Sequence, residues 1–474
     1  MSTPPIRMER LSRRNLLRGA AALGLAGLAP LGRAAAEETA WSLRPAPARV
    51  PLVGAGWGET EVWAYDGQVP GPVIRARQGE RLVVRVENGL PEETTVHWHG
   101  IRMPNAMDGV PHLTQPPIAT GEAFLYAFDL PDAGTFWYHP HANSSVQLGR
   151  GLSGALIVEE ENPPRADRDL VWLLDDWRLT RDAALVEDFG NFHDASHAGR
   201  LGNTVTLNGR LPGRVALRPG ERLRLRLINA ANARVFGLDF GELAPVVVAL
   251  DGQPVAPHAP DSGVVVLGPG MRADLMLDVP ARMAGPVAVS DVFYARQEYH
   301  FVDLAPEGEP LRDRTPNWPM ELPPNPLAEP DPARARRQEI VFHGGMMGQA
   351  MMGDRTDAMM AEMREGRLWF VNGAAATGHV LAPLMSVARG ESVVLALENR
   401  TAWHHPIHLH GHSFRVLSRD GQPTLRREWQ DTVLMSPRER VEVGFAADNP
   451  GDWMLHCHVL EHQASGMSAV LRVA

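Results

Sequence analysis

At 474 residues and a net charge of -10, the chain has room for about three domains and lacks the basic excess that a nucleic-acid surface requires. Hydrophobic residues make up 44% of it, enough for sizeable cores, and a single cysteine, Cys457, excludes a disulfide framework. The first 36 residues stand apart. A basic head around Ser12-Arg13-Arg14-Asn15-Leu16-Leu17, an apolar stretch from Ala20 to Leu31 and the small residues Ala34-Ala35-Ala36 read as a twin-arginine signal peptide (1–36). The apolar stretch is too short to span a bilayer, and no other run is long enough, so the expected location is the periplasm. A lone thiol exported to an oxidising compartment should be buried, modified or bound to metal.

From about residue 40 the chain reads as short alternating runs broken by Pro and Gly. Arg81-Leu82-Val83-Val84-Arg85-Val86 and Arg222-Leu223-Arg224-Leu225-Arg226-Leu227 have period two and predict strands. The punctuation repeats. Gln78-Gly79-Glu80, Pro219-Gly220-Glu221 and Arg389-Gly390-Glu391 each lead into an alternating strand that ends in Asn88, Asn229 or Asn399. Seventeen residues beyond Glu80 stands His97, and seventeen beyond Glu391 stands His408, whereas the same step from Glu221 reaches Leu238. Three related β-domains follow, the middle one without histidines at the equivalent places. Their expected limits are 40–162, 165–305 and 338–474, with a Pro-rich linker over 306–337.

Of 19 histidines, ten fall in clusters confined to the first and third domains: His97-Trp98-His99, His139-Pro140-His141, His405 with His408 and His410, and His456-Cys457-His458 with His462. Residues two apart in a strand share a face, so four His-x-His pairs can build an eight-imidazole cage where the terminal domains meet. With His456 and His458 facing that cage, Cys457 faces away. A thiolate there, joined by His405, His462 and the thioether of Met467, is the ligand set of a blue-copper electron-transfer centre. The strand would then wire two sites together. Zinc needs four ligands at most and no such division between soft and borderline donors.

These motifs, His97-Trp98-His99-Gly100, Trp137-Tyr138-His139-Pro140-His141, His405 to Gly411 and His456 to Met467, resemble those of the three-domain bacterial multicopper oxidases, a group that includes laccases and the copper-efflux cuprous oxidases. The resemblance implies an all-β chain of three cupredoxin-like Greek-key sandwiches holding four copper ions. Carried over by motif, type 1 copper takes His405, Cys457, His462 and Met467. Type 2 copper takes His97 and His408, and the type 3 pair takes His99, His139, His141, His410, His456 and His458. Implied too is the reaction: four one-electron oxidations of a small-molecule or Cu(I) reductant, coupled to reduction of dioxygen to water, and the expected form is a monomer without a membrane span.

Asp108, eleven residues past His97, stands where efflux-oxidase relatives carry an acid that assists proton delivery. Gln463 stands where those relatives often carry Glu, and an amide cannot shuttle a proton; Glu461 nearby is expected by strand alternation to point elsewhere. Seven methionines, Met346, Met347, Met351, Met352, Met359, Met360 and Met363, crowd one stretch whose spacing suits a helix face. Thioethers prefer Cu(I), which makes this stretch a candidate substrate site, against a packing role for flexible apolar side chains. Cu(I) and phenols both remain open as reductants, and a copper-sequestering protein without turnover is the alternative from another functional class.

Overall fold

The computed structural model describes residues 38–54, 56–346, 357–376 and 382–474. The leader and Met347, Met351 and Met352 lie outside them. Sheets fall in three groups along the chain, with strands spanning Glu38–Glu159, Arg168–Pro306 and Arg336–Val473. Each group has its own apolar core. A small fourth cluster, including Trp137, Ile228 and Leu460, lies where the three groups meet.

The repeats of the sequence are repeats of the fold. The strands Arg81–Glu87, Arg222–Asn229 and Ser392–Asn399 each pair in parallel with the first strand of their group and antiparallel with a later one. The glycine ahead of each, Gly79, Gly220 or Gly390, takes φ of 84°, 77° and 84°, a left-handed turn that a Cβ would strain. The following glutamate folds back, so that Glu80, Glu221 and Glu391 accept from the backbone N–H of Arg77, Arg218 and Ala388.

The asparagine that closes each strand has an equally local cause. Asn88, Asn229 and Asn399 are buried, and each Nδ2 donates to two carbonyls at 2.8 Å while Oδ1 accepts from the N–H two residues on. An amide side chain is what such a corner needs, because it offers two donors and an acceptor in one plane. From each corner the chain crosses to the opposing sheet, and there lie the strands His97–His99, Phe236–Asp239 and His405–Leu409.

The period-two run Arg222–Leu227 forms the expected strand, and both of its faces are buried. All eight residues of Arg222–Asn229 are buried. Arg224 is bonded to Glu160 and Asp274, Arg226 to Asp169 and Thr135, and Arg222 to Asp278 and the carbonyls of Pro316 and Trp318. That face is covered by the first domain and by residues 307–335, which carry no helix or strand and run as a strap over it. Buried arginines persist only when paired in this way.

Candidate metal centre

The strand His97–His99 pairs antiparallel with Gly134–His139, opposing His97 to His139. The strand His405–Leu409 pairs with Gly451–Cys457, opposing His408 to His456. Alternation then sorts the side chains. Trp98 and Tyr138 enter the first core, while His97 and His99 turn to the domain boundary. There the eight imidazoles converge and are buried: His97 stacks on His410 at 4.0 Å and His99 on His408 at 3.8 Å, with rings of His139 and His458 5.2 Å apart and those of His141 and His456 also 5.2 Å apart. The sequence-predicted cage is therefore assembled from the first and third domains. His412, in the same run as His410, stays out of it and packs on Phe445 and Trp453.

One nitrogen of most of these rings is held from outside. His97 Nδ1 lies 2.8 Å from the Asp108 carbonyl, His139 Nδ1 3.0 Å from that of Pro140, His408 Nδ1 2.9 Å from that of Asp431 and His456 Nδ1 2.9 Å from that of Cys457. The Asp108 carboxylate reaches His410 Nδ1 at 2.9 Å. His99 is turned over: its Nε2 lies 3.1 Å from Asp431 Oδ1 and 3.2 Å from Thr432 Oγ1. What remains are buried nitrogens without a protein partner, namely Nε2 of His97, His139, His141 and His408, Nδ1 of His99 and both nitrogens of His458. His410 and His456 bring their Nε2 atoms within 3.1 Å of each other. Orphaned polar atoms at this density are costly in a dry interior and fit metal ligation.

Burial, reinforced by neighbouring imidazoles, lowers the proton affinity of His99, His139, His141, His410 and His458, and brings His456 down to about 3. These rings are neutral at pH 7, the form that binds metal.

On the other side of the strand Gly451–Cys457, the fully buried Cys457 sulfur lies 3.4 Å from His405 Nδ1 and 3.6 Å from His462 Nδ1, with the two nitrogens 3.2 Å apart. Met467 is buried, and its carbonyl accepts from the Cys457 N–H at 3.1 Å. Burial pushes the thiol's proton affinity up, so a nearby cation is required for a thiolate. The outer edges of both rings are held: His405 Nε2 by Thr401 Oγ1 at 2.7 Å, His462 Nε2 by the His197 carbonyl at 2.7 Å. Trp369 lies against His462 at 4.0 Å.

Several residues around these clusters have no counterpart in the sequence reading. Arg272 of the middle domain, fully buried, makes two hydrogen bonds to Asp431 at 2.8 and 2.6 Å. Asp251 accepts from the N–H of Arg272, Asp431 and Thr432. Burial pushes the Asp431 carboxyl up, but the Arg272 charge outweighs it and holds it ionised; burial and that ionised neighbour push Asp251 up. The middle domain, without histidines in its repeat, thus orients the histidines of the other two. Nothing in the Trp429-Gln430-Asp431-Thr432 run distinguishes it from an ordinary strand.

One expectation changes. Glu461 is on a helix, Leu460–Ala464, instead of a strand, because Met467 must return beside His462 within a short span. Its carboxylate is buried and accepts from the Arg200 N–H at 3.0 Å and from Asn232 at 3.1 Å. Gln463 accepts from the Ser144 hydroxyl at 2.8 Å. The Met-rich stretch forms a helix over Asp357–Arg364, with Met359 buried, Met363 packed on the third core and Met360 partly exposed; Met346 is also partly exposed.

Multicopper oxidase family models match residues 52–163, 168–286 and 351–474. The chain is 30% identical to multicopper oxidase MmcO of Mycobacterium tuberculosis, over 91% of its own length and 86% of the relative's. It is 26% identical to a copper resistance protein A homolog of Pseudomonas syringae pv. tomato, covering 98% of this chain and 99% of that one. The crystal structure of a multi-copper oxidase from Pseudomonas thermotolerans superposes with a TM-score of 0.81 at 35% identity, covering 93% of this chain and all of that one. The chain belongs to the multicopper oxidase family, as a three-domain bacterial member built from cupredoxin-like domains. It is an oxidoreductase that uses dioxygen, and copper is its cofactor.

Proposed function

We propose that the cluster of His405, Cys457, His462 and Met467 holds a type 1 copper and that the eight-imidazole cage holds three more. In this assignment His97 and His408 bind type 2 copper, and His99, His139, His141, His410, His456 and His458 bind the type 3 pair. When bound, these ions supply one-electron uptake at the first cluster and four-electron reduction of dioxygen at the second. The observation that carries the reading is the single strand Gly451–Cys457, which turns His456 into the cage and Cys457 into the other cluster. Adjacent residues give a covalent route between the two, with no gap to cross.

The chain's own groups prepare this chemistry. Asp431, fixed by Arg272, orients His99 through Nε2 and His408 through Nδ1, so each offers its remaining nitrogen inward. Asp108 takes the corresponding place for His97 and His410, and its Oδ1 is buried without a hydrogen-bond partner. That oxygen is placed to hold a proton beside the cage, as dioxygen reduction requires. A merely solvated loop carboxylate would not be buried. Glu461 accepts from the Arg200 N–H, Asp431 is held ionised by Arg272, and the amide of Gln463 cannot carry a proton, which leaves Asp108 for this task.

The reductant is Cu(I) or a small phenol, and the leader supports export to the periplasm by the twin-arginine route. Domain limits of 40–162, 165–305 and 338–474 are part of this reading, and the strand groups Glu38–Glu159, Arg168–Pro306 and Arg336–Val473 support it to within a few residues at the domain boundaries. Among the described residues no helix is long and apolar enough to cross a membrane. Elemental analysis with electron paramagnetic resonance tests the assignment. Four coppers per chain, with one type 1 signal, one type 2 signal and a spin-coupled silent pair, are expected; loss of the type 1 signal alone is expected in Cys457→Ser. Zinc in the cage, or a type 1 signal that survives that substitution, contradicts it.

A further inference from the structure

The His462 ring is fully buried, and its outer nitrogen is already bonded to the carbonyl of His197 in the middle domain. An electron donor in solvent therefore meets the segment around residue 197 before it meets His462. That segment follows the short helix Phe192–Ser196 and lies over the cysteine cluster through its backbone. The Ala195 carbonyl accepts from Trp369 Nε1 at 2.6 Å, that of Ser196 from the Met346 N–H at 2.7 Å, and the Arg200 N–H reaches Glu461 at 3.0 Å. The middle domain thus supplies the outer wall of a site whose ligands all come from the third.

In that wall is a cavity of about 450 Å³, lined by Arg178, Asp188, His193, Asp194, His197 and Trp403 among others. His193 and His197 stand four residues apart with their rings stacked at 4.4 Å and 11°. His197 Nδ1 lies 3.0 Å from the His193 carbonyl and 2.9 Å from the Ser196 hydroxyl, whose own proton goes to the Phe192 carbonyl at 2.6 Å, so Nδ1 donates and the Nε2 lone pair is left to the cavity. His193 Nδ1 faces Asp194 at 3.8 Å, and the ring is exposed. Neither Nε2 has a protein partner among the described residues. An imidazole whose far nitrogen is fixed by an oxygen is the usual form of a metal ligand. Two of them at i and i+4 can share one ion, since about 2.0 Å separates metal from imidazole nitrogen and the exposed His193 ring is free to tilt. Asp194 is neutralised by Arg178 at 2.8 and 2.9 Å, so the cavity does not simply collect cations.

We propose that His193 and His197 form the docking site of a substrate metal ion, Cu(I), which passes its electron to His462 through the His197 carbonyl. This rests on the assignment of His462 to the type 1 cluster. The path runs from the His197 ring through its own Cα and carbonyl, then across one 2.7 Å hydrogen bond. Each docked Cu(I) loses one electron and departs as Cu(II); four such events reduce one dioxygen, with four protons, to two waters. The oxidant is that of the family's own reaction. Imidazole binds copper in both oxidation states, so a two-imidazole site exposed to solvent releases the product where a closed cage would retain it.

The test uses the fully copper-loaded enzyme with Ag(I) as a redox-inert probe of the site, measured by equilibrium dialysis, beside Cu(I) oxidation kinetics. The type 1 visible absorption checks that each variant is folded. The proposal expects the unaltered enzyme and a His300→Ala control to bind one Ag(I) more than His193→Ala/His197→Ala and His193→Gln do. It expects KM for Cu(I) to rise at least about tenfold in the double variant with a smaller change in kcat, because the carbonyl that carries the electron remains. Silver binding or a KM for Cu(I) unchanged in the double variant overturns the metal site while leaving the oxidase assignment standing. Absence of oxygen uptake with Cu(I) and with a phenol, in the unaltered enzyme, instead refutes the assignment itself.

Discussion

Replacing Arg272 by methionine removes a cation that the middle domain places against the cage. Asp431 and Asp251 are then left as buried carboxylates, with side chains 1% and 0% exposed, facing a neutral thioether. Breaking a buried pair from one side costs about 3–5 kcal/mol, because the remaining charge is neither solvated nor compensated. Two further hydrogen bonds go with it, to the carbonyls of Gly270 and Thr135. The fixed position of Asp431, which orients His99 and His408, is lost as well. Loss of such an outer partner typically lowers metal affinity about 10–100-fold. Urea unfolding of the copper-loaded protein and copper competition with a chelator measure the two effects. The companion variant Arg272→Met/Asp431→Asn removes the stranded charge and should recover at least about 1 kcal/mol relative to the sum of the single substitutions. A single variant as stable as the unaltered protein, or a double variant that costs the full sum, would refute the reasoning.

Asn229→Ala leaves two carbonyls and one N–H of a strand corner unbonded and should destabilise the chain by about 3 kcal/mol in denaturant unfolding. Gly109→Ala places a Cβ 2.0 Å from the Val96 carbonyl at a φ of 85°, so the adjacent Asp108 is displaced; oxygen uptake should fall while copper content, measured by elemental analysis, is retained. Asp175 gives a pH dependence. Burial and the neighbouring Asp176 raise its carboxyl well above the usual range. The native state therefore holds a proton that the unfolded chain releases near pH 3.9, and this contribution to stability is lost as pH climbs from there through the folded value. Melting temperature followed from pH 4 to 8 should fall less steeply in Asp175→Asn; an unchanged slope would show that the carboxyl titrates normally.

The proposed metal ligands are legible in the sequence because copper binding demands particular atoms, and a period of two tells which side of a strand carries them. His97 and His99 need only alternate with Trp98 for the cage to be inferred. The triple repeat is legible for a similar reason, since a left-handed glycine and a corner asparagine are each required by backbone geometry. The groups that orient the ligands are not. Arg272, Asp251 and Asp431 are charged residues in strands, a pattern that ordinarily marks a solvated face, and only the docking of three domains buries them. The same docking buries Arg222, Arg224 and Arg226, whose alternation with leucine points to a wet edge. Strand alternation does not place Glu461, because a helix of five residues between Cys457 and Met467 leaves no periodic signature. Nothing in the sequence marks His193 and His197: their proposed role depends on the long-range hydrogen bond from His462, 265 positions beyond His197.

The most direct test is oxygen consumption by the copper-loaded protein, with Cu(I) and then dimethoxyphenol as reductant, alongside Cys457→Ser. One dioxygen consumed per four electrons supplied, without hydrogen peroxide, and abolished by the serine substitution, is the predicted result. Four bound coppers with no uptake from either reductant would contradict the oxidase assignment and leave copper sequestration as the function of the same residues.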